Sequence, residues 1–315
     1  MDSSGVRKHI TILTPCFREV ENVEPLVKAV TNIMKKCPEY TYNHLFIDNA
    51  SNDGTQEKLR GLAQDYSHLQ VIFNARNFGQ NRSPFYGLLQ AKGEAVIAMN
   101  CDFQDPPDLI PVFLKHWENG KKAVLAIKSE SEENRIIYFL RGLYYRILSR
   151  FGDVKTIEHF TGYGLYDRSV IELFRSISDS NPYLRGLIPD LGITYESVQF
   201  KQPLRKRGST KNNFYSLYDM AMLGLTSHSK IPLRLATFVG FTIGMISLLV
   251  ALFYFCFKIL FWNSFVLGTA PLVVGLFFFA AVQLLFIGII GEYIGSILTH
   301  VLGRPLVIEK ERINI

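Results

Sequence analysis

Residues 9–48 read HITILTPCFREVENVEPLVKAVTNIMKKCPEYTYNHLFID and establish the pattern of the first two-thirds of the chain. Two short β-rich runs, HITILTP and NHLFID, flank a helical candidate at 22–36. Further runs and candidates follow in alternation: LQVIFN, EAVIAMN, KAVLAIK, and residues 54–65, 80–92 and 108–119. Strands that alternate with helices predict an α/β fold, a mostly parallel sheet with helices on both faces.

The composition changes sharply near residue 231. Residues 235–257, LATFVGFTIGMISLLVALFYFCF, carry no charge, and a helix of that length spans about 34 Å, enough for a hydrocarbon core of roughly 30 Å. A second uncharged stretch runs from Ile259 to Gly291. Two buried core helices are the alternative, but soluble helices seldom run this long without a charge. We therefore predict two transmembrane helices after the sheet.

The charge distribution indicates how these helices are oriented. The chain has 34 Lys or Arg and 28 Asp or Glu residues, a net charge of +6. Many of the basic residues flank the apolar stretches: Lys201, Arg205, Lys206, Arg207, Lys211, Lys230, Arg234, Arg304, Lys310 and Arg312. The connecting loop has only Lys258, so the positive-inside rule predicts a multi-pass protein of the inner (plasma) membrane with both termini cytoplasmic. Because much of the positive charge lies beside the predicted membrane helices, we do not expect nucleic acid as a partner.

These observations divide the chain into three parts. We predict a cytoplasmic domain at 1–230, a transmembrane hairpin at 231–299 and a cytoplasmic tail at 300–315. The start, MDSSGVRKHI, has no apolar run of signal-peptide length. The four cysteines lie far apart without a C-x-x-C pair, which excludes a zinc site or a disulfide scaffold as the expected organisation. No G-x-G-x-x-G follows a strand, which disfavours a dinucleotide oxidoreductase.

A basic stretch within the first part has a different character. Residues 134–150, NRIIYFLRGLYYRILSR, are apolar and aromatic, with interruptions at Arg135, Arg141, Arg146 and Arg150. A basic amphipathic helix of this kind fits the membrane interface. A core helix with a solvated basic edge is the alternative, and the two predicted spans nearby favour the interface.

Seven motifs along the chain resemble those of a known family. TPCFREVENV, IDNASNDGT, NARNFG and NCDFQDPPDLI each follow a predicted strand and resemble family 2 glycosyltransferases of the GT-A fold. GLYDRSVIE, RKRGSTKNN and GEYIGSILTHVLGRPLVIEKE are similar to the polyprenyl-phosphate sugar transferases, including bactoprenol glucosyltransferases, with dolichyl-phosphate mannose synthases as more distant relatives. The resemblance covers nearly the whole chain.

The resemblance implies an enzyme of cell-envelope biosynthesis. Such an inverting hexosyltransferase moves a sugar from a nucleotide-sugar donor, expected to be UDP-linked, to polyprenyl (undecaprenyl) phosphate at the cytoplasmic membrane face. A membrane transferase that extends a glycan or lipid-linked saccharide is an alternative, and a non-catalytic GT-A-fold scaffold is another. A processive synthase is disfavoured because neither Trp117 nor Trp262 follows an Arg, so Q-x-x-R-W is absent. Whether the chain forms a homo-oligomer is open.

The polar residues behind the predicted strands are suited to this chemistry. A divalent cation offsets the charge of a departing nucleoside diphosphate, and Asp102, Gln104 and Asp105 offer hard oxygen ligands for Mg²⁺ or Mn²⁺. The family's metal ligands map onto Asp102 and Gln104, and Asp102 and Asp105 are the predicted catalytic acids. Capping of a helix by Asp105 and Asp108 is the alternative explanation. It does not account for Asp102 and Gln104, which precede that helix.

Other positions match the family's donor site. The predicted donor-binding residues are Pro15, Phe17, Glu19, Asp48, Asn49, Asn100, Arg205, Arg207 and Lys211. The Phe17 ring either stacks on the base or packs in the core. The basic RKRGSTK segment is expected to clamp the diphosphate, and that role is compatible with a membrane-proximal patch.

Three positions depart from the common family pattern. Asn49 and Asn100 stand where many relatives carry an acid, and Gly162 stands where bactoprenol-type relatives often do. A phosphate monoester is mostly dianionic at pH 7, so a lipid phosphate needs no base to remove a proton. Lys128, Arg135 and Arg141 are the expected acceptor-phosphate contacts. A sugar-hydroxyl acceptor would instead need a general base, for which the candidates are Asp102, Asp105 and Asp167.

Overall fold

The computed structural model describes residues 7–130, 157–203, 222, 231–260 and 269–315. The strands within these ranges are β1 (Lys8–Cys16), β2 (Tyr40–Asp48), β3 (Leu69–Asn74), β4 (Ala95–Ala98), β5 (Ala123–Glu130), β6 (Phe160–Asp167), β7 (Glu196–Lys201) and β8 (Glu309–Ile313). The helices are α1 (Val23–Met34), α2 (Thr55–Asp65), α3 (Gly79–Gln90), α4 (Ile110–Glu118), α5 (Arg168–Arg175), α6 (Leu184–Asp190), α7 (Ile231–Leu260) and α8 (Thr269–Val301). A 3₁₀ turn at Pro107–Leu109 precedes α4.

All eight strands form one sheet, in the order β7-β5-β6-β4-β1-β2-β3-β8. The centre, β4-β1-β2-β3, is parallel, and so is the β5–β7 pair. The strand β6 runs antiparallel between β4 and β5, and β8 runs antiparallel to β3 at one edge. The predicted α/β fold is confirmed, and each of the five predicted strands and four predicted helices is present.

The core lies on both faces of the sheet. Ile10 and Ile12 of β1 pack into one apolar layer with helices α1, α2 and α4, whereas Leu13 packs into the opposite layer with α3, α5 and α6. A strand that is buried on both faces reads as a nearly continuous apolar run. This is why HITILTP and its counterparts were recognisable as strands in the sequence.

The last strand, β8, was missed in the sequence analysis. Its sequence, EKERI, is charged, and none of its residues is fully buried. Polar contacts hold it against the domain instead: Arg60 Nη2 donates to Glu311 at 2.6 Å, and Gln70 Nε2 donates to the Asn314 carbonyl at 2.9 Å. Residues 300–315, predicted as a separate tail, therefore contain a strand of the domain's own sheet.

Two long apolar helices precede this strand, as predicted. By length and composition, Pro232–Val250 in α7 and Phe278–Val301 in α8 are candidate membrane spans. None of the first segment and 6% of the second is buried inside the protein, so their apolar side chains face outward. The helix α8 continues past the uncharged stretch that ends at Gly291 and ends at Val301, two residues beyond the predicted end of the hairpin at 299. The interfacial helix predicted at 134–150 lies outside the described residues.

Candidate active site

The polar segments that follow β1, β2 and β4, residues 15–19, 48–53 and 100–105, come together at one edge of the sheet. The strands β1, β2 and β4 are adjacent and parallel, so the segments that follow them start side by side. Cys16 at the end of β1 pairs with Asp48 at the end of β2, and the Met99 N–H beyond β4 donates to the Leu13 carbonyl at 2.9 Å. Ligands of parallel α/β sheets bind at this carboxyl edge.

The loop after β1 is fastened to the loop after β2. The Arg18 N–H donates to Ser51 Oγ at 2.8 Å, and the Glu19 N–H donates to Thr55 Oγ1 at 3.0 Å. The Phe17 ring is only partly buried, with the Arg18 guanidinium carbon 5.2 Å from its centroid. Pro15 and Glu19 are also partly exposed. An aromatic face at a ligand-binding edge, outside the core, is accessible for stacking.

Asp48 is completely buried and fully engaged by its own loop. Its Oδ2 accepts from the Ser51 N–H at 3.0 Å and from Gln56 Nε2 at 2.7 Å. The Cys16 thiol lies 3.8 Å from Oδ1, and burial, more than the charge of Asp48, raises the pKa of that thiol. In this arrangement Asp48 shapes the loop. A contact with a donor, predicted from the resemblance, would be additional to these bonds.

Asn49 makes four hydrogen bonds within the domain. Its Nδ2 donates to Asn77 Oδ1 at 2.9 Å and to the Gly79 carbonyl at 3.1 Å. Its Oδ1 accepts from the Phe78 N–H at 2.8 Å and from Asn74 Nδ2 at 3.1 Å. Four bonds use the full capacity of an amide side chain. The predicted contact between the Asn49 carbonyl and a base would therefore have to displace one of these partners.

This network identifies site-edge residues that the sequence analysis did not single out. Asn74 and Asn77 belong to the NARNFG motif that follows β3, and their side chains bridge the ends of β2 and β3. Asn74 Nδ2 also donates to Ser83 Oγ at 2.9 Å. The sequence feature that could have identified them is the pair of asparagines at the end of a buried strand. The sequence analysis quoted the NARNFG motif without assigning roles to its residues.

Asp105 is the second completely buried carboxylate at this edge. Its Oδ2 accepts from the Asn100 backbone N–H at 2.9 Å and from Asn100 Nδ2 at 2.7 Å. Its Oδ1 is buried without a hydrogen-bond partner in the described part of the chain. Burial raises the pKa of Asp105 to about 6. The Asp102 charge adds to the rise, whereas the hydrogen bonds from Asn100 and the Lys128 charge oppose it.

The role of Asn100 follows from this geometry. An amide donates to Asp105, which an ionised carboxylate at that position cannot do. Asn100, where many relatives carry an acid, therefore donates a hydrogen bond to Asp105. A carboxylate at that position would instead repel the Asp105 carboxylate. Asn100 was predicted as a donor-binding residue, and its Nδ2 points to a neighbouring side chain of the same loop.

Asp102 and Gln104 occupy a tight turn beside Asp105. Asp102 is 9% exposed, and its Oδ1 accepts from the Gln104 N–H at 3.1 Å. Phe103 between them has φ +59°, a left-handed conformation that is rare for a bulky residue and typical of strained functional loops. The Lys128 charge is near enough to lower the pKa of Asp105. Asp102, Gln104 and Asp105 thus lie together in one short segment, with Lys128 close by.

The remaining predicted residues are distributed differently. Asp167 accepts from Trp117 Nε1 at 2.8 Å and caps α5 through the Ser169 N–H at 2.9 Å. It pairs with Ala95 at the opposite end of β4, so its candidacy as a base at the carboxyl edge is wrong. Arg135, Arg141, Arg205, Arg207 and Lys211 lie outside the described residues.

Gly162 belongs to the same edge as Asp105. Gly164 pairs with Ala98 at the end of β4, and Gly162 precedes it by two residues on the antiparallel strand β6. Gly162 has φ +97°, and a Cβ placed there would meet no atom within 4 Å. Space for a side chain is therefore available, but the backbone conformation favours glycine.

Among the described residues, no three or more His, Cys, Asp and Glu side chains form a group that could hold a metal ion. Two carboxylates and an amide remain. A small hard cation such as Mg²⁺ is commonly bound through one or two carboxylates, with water and substrate phosphates as its other ligands. The group Asp102, Gln104 and Asp105 can serve that arrangement.

Comparison with known proteins identifies the family. The profile of glycosyl transferase family 2 matches residues 11–174. The chain is 31% identical over 303 residues to the SfII prophage-derived bactoprenol glucosyl transferase of Shigella flexneri, covering 96% of this chain and 97% of that protein. It is 29% identical to the prophage bactoprenol glucosyl transferase homolog of Escherichia coli K12, covering 96% and 98%.

A solved structure supports the fold. Glucosyl-3-phosphoglycerate synthase from Mycobacterium tuberculosis in complex with phosphoglyceric acid superimposes with a TM-score of 0.50 and 14% identity, covering 70% of this chain and 78% of that one. The GT-A-type sheet, the order of the motifs and the near full-length relatives agree. The chain belongs to glycosyl transferase family 2 and is a glycosyltransferase.

Proposed function

We propose that this glycosyltransferase moves a sugar from a UDP-linked donor to polyprenyl phosphate at the cytoplasmic face of the inner membrane. The observation that carries the proposal is the acidic pair at the end of β4. Asp102 lies beside a fully buried Asp105 whose Oδ1 has no partner among the described residues. Such a pair is suited to a site where a divalent cation and a departing diphosphate meet.

Asp102 and Gln104 are the proposed ligands of Mg²⁺ or Mn²⁺. Their hard oxygens fit such a cation, and the unsatisfied oxygen of Asp105 marks a buried position where positive charge is favourable. When bound, the cation offsets the charge on the nucleoside diphosphate. The residues of the chain do the rest: the turn at Phe103 fixes Asp102 and Gln104, and Asn100 holds Asp105 in place.

The acceptor side of the proposal rests on charge and on the fact that a phosphate acceptor needs no general base. A lipid phosphate is already a nucleophile near neutral pH. It needs a cation to hold it, and Lys128 is near Asp105. Gly162 provides no carboxylate, and Asp167 is committed to Trp117 and the cap of α5. The names of the relatives, bactoprenol glucosyl transferases, support the same acceptor class.

The proposed topology places α7 and α8 across the membrane. The strand β8 follows α8 and pairs with β3, so the globular domain and the C-terminus must lie on the same side of a bilayer. An even number of crossings satisfies this, and the basic flanks favour the cytoplasmic side.

A reporter fused after Ile315 should read cytoplasmic, and a cysteine at Asn263 should label from outside. A reporter that reads external would contradict the hairpin.

The enzymatic test uses full-length protein in detergent with undecaprenyl phosphate and a panel of nucleotide sugars, followed by mass spectrometry of the lipid. We expect a glycosylated lipid phosphate with one donor. Asp102→Ala should lower turnover by about 100-fold or more, as expected for losing a charge from the leaving-group site. Asp108→Ala, an exposed acid on the adjacent 3₁₀ turn, is the matched control.

Two results would contradict the proposal. Near-normal turnover of Asp102→Ala, or full activity in excess EDTA, would show that the proposed metal ligands are not needed for the reaction. Transfer only to a saccharide hydroxyl, with no product on the lipid phosphate, would favour the glycan-extending alternative.

A further inference from the structure

Three arginines approach one another where α8 joins the domain. Arg76 follows β3, Arg82 lies in the first turn of α3, and Arg304 lies three residues after the end of α8. The guanidinium carbons of Arg76 and Arg82 are 4.2 and 5.6 Å from the ring centroid of Phe78. Arg82 Nη2 donates to the carbonyl of Pro305 at 2.6 Å, one residue beyond Arg304. We call these three residues the arginine cluster.

The cluster has no countercharge in the part of the chain that the structure describes. Within the described residues, none of its members forms an ion pair. Other arginines of the domain do pair with carboxylates: Arg60 with Glu311, Arg168 and Arg175 with Glu172, and Arg312 with Glu309. Partial burial lowers the pKa of Arg82, and the charges of Arg76 and Arg304 lower it further. Like charges held together are unfavourable unless an anion compensates them.

One donor of the cluster is also unused. Arg82 Nε is shielded from solvent and has no acceptor in the described part of the chain. A buried donor without an acceptor is rare and costly. Guanidinium groups bind phosphate through several N–H donors at once. The free Nε–H and the neighbouring guanidinium groups are therefore suited to a phosphate.

The position of the cluster separates it from the reaction centre. The strand β3 is three places from β4 in the sheet, and strands lie about 4.8 Å apart, so the end of β3, which Arg76 follows, is about 14 Å across the sheet from the end of β4. Its surroundings are instead those of an interface. Leu302 and Ile308, on either side of Arg304 in the sequence, are exposed apolar residues, and the candidate membrane span ends at Val301.

We propose that the arginine cluster binds the headgroup phosphate of an anionic membrane phospholipid and holds the β3 edge of the domain against the bilayer. The inference rests on the proposed crossing of α8, which sets Arg304 at the level of the headgroups. Basic residues next to a membrane helix are attracted to anionic lipids. The Arg82–Pro305 contact couples the bound headgroup to α3 and the domain.

The test measures lipid retained by the full-length protein. Wild type and Arg82→Gln/Arg304→Gln are reconstituted in nanodiscs of phosphatidylcholine with a minor fraction of phosphatidylglycerol, then released for native mass spectrometry. Wild type should retain phosphatidylglycerol in preference to phosphatidylcholine, and the double variant should retain roughly 10-fold less, as for loss of one or more charge-assisted contacts. The single variant Arg304→Gln, at an exposed position, should lose retention in the same direction even if Arg82→Gln disturbs folding.

A charge-matched control isolates the site. Lys35→Gln/Lys92→Gln removes two exposed cations at the amino edge of the sheet and should retain lipid like the wild type. Equal retention by the arginine variants would overturn the proposal. Displacement of the lipid by added UDP would also overturn it, because the cluster would then belong to the donor site, and displacement by inorganic phosphate alone would make it a site for free anions.

Two further measurements on the same protein variants keep this inference distinct from the proposed function. Carbonate extraction reports whether α8 holds the chain in the membrane, and sugar transfer in phosphatidylcholine alone reports the chemistry. Transfer without lipid preference would overturn only the arginine cluster. Lipid preference without transfer would count against only the proposed function.

Discussion

Asp48 and Asp105 are equally buried, but their surroundings are opposite. Each is fully enclosed at the carboxyl edge of the sheet. Asp48 accepts from Ser51 and Gln56 and contacts the Cys16 thiol, whereas Asp105 has one oxygen without a partner in the described chain and a pKa raised mainly by burial to about 6. Burial alone therefore does not mark a reactive acid. An incomplete set of partners does.

The comparison is tested most strongly by removing the charge of Asp105. Asp105→Asn should lower turnover by about 100-fold, because it removes electrostatic stabilisation beside Asp102 while keeping the side chain's shape. The protein should stay folded, since the buried charge is not a source of stability. Turnover with nucleotide sugar and undecaprenyl phosphate is the measurement, and Asp108→Asn is the control. Turnover within about threefold of wild type, far short of this loss, would make Asp105 as structural as Asp48.

The raised pKa of Asp105 predicts a pH dependence of stability. Its pKa is about 6 in the fold against a reference of 3.8, so the folded state holds the proton more tightly. The stabilisation by the protonated form is complete below about pH 4 and is lost as the pH rises through about 6, a loss of about 3 kcal/mol in the free energy of unfolding.

Urea unfolding of the metal-free protein in EDTA over this pH range measures the effect. Asp105→Asn should remove this part of the slope, and added Mg²⁺ should restore stability to the wild type near neutral pH. Identical slopes for wild type and Asp105→Asn would show that Asp105 ionises in the fold as easily as in the unfolded chain.

Asp48 should respond in the opposite way. Asp48→Asn leaves one acceptor oxygen, which can keep the bonds from Ser51 N and Gln56 Nε2 only as neutral ones. The amide N–H then faces the Cys16 thiol, which loses its contact with Oδ1, so the free energy of unfolding should fall by about 1–3 kcal/mol. Turnover of the folded fraction should fall less than about 10-fold, well short of the loss of a transition-state contact. Asp65→Asn, an exposed acid at the end of α2, is the control. A larger loss of turnover than in Asp105→Asn would reverse the assignment.

The sequence predicted the central sheet because its strands are buried on both faces. HITILTP and NHLFID are short β-rich runs, and the polar segments that follow them meet where the parallel strands end. The strand β8 could not be predicted, because EKERI has no apolar face. It is held by the ion pair of Glu311 with Arg60 and by hydrogen bonds to Tyr86 and Gln90, which only the tertiary arrangement supplies.

The sequence predicted where the site residues lie better than it predicted which hydrogen bonds they form. The grouping of Asp102, Gln104 and Asp105 follows from their spacing after β4. Their different environments do not, because burial and hydrogen bonding depend on Asn100 and on neighbouring strands. Asn49 illustrates the same limit: its four partners come from the segment around β3, about 25 to 30 residues along the chain.

The smallest expected effect concerns Gly162, where the chain lacks an acid. Gly162→Asp places a carboxylate in open space at the same edge of the sheet as Asp105, at a φ of +97°, so the free energy of unfolding should fall by about 1 kcal/mol. Gly162→Ala carries the same backbone strain without the charge, and the ratio of the two turnover rates isolates the carboxylate. With a lipid phosphate as acceptor that ratio should stay within about threefold, since no proton has to be removed, whereas a useful general base typically contributes about 100-fold or more. A large gain in Gly162→Asp over Gly162→Ala would mean that proton removal limits the reaction, and the acceptor would then be a hydroxyl.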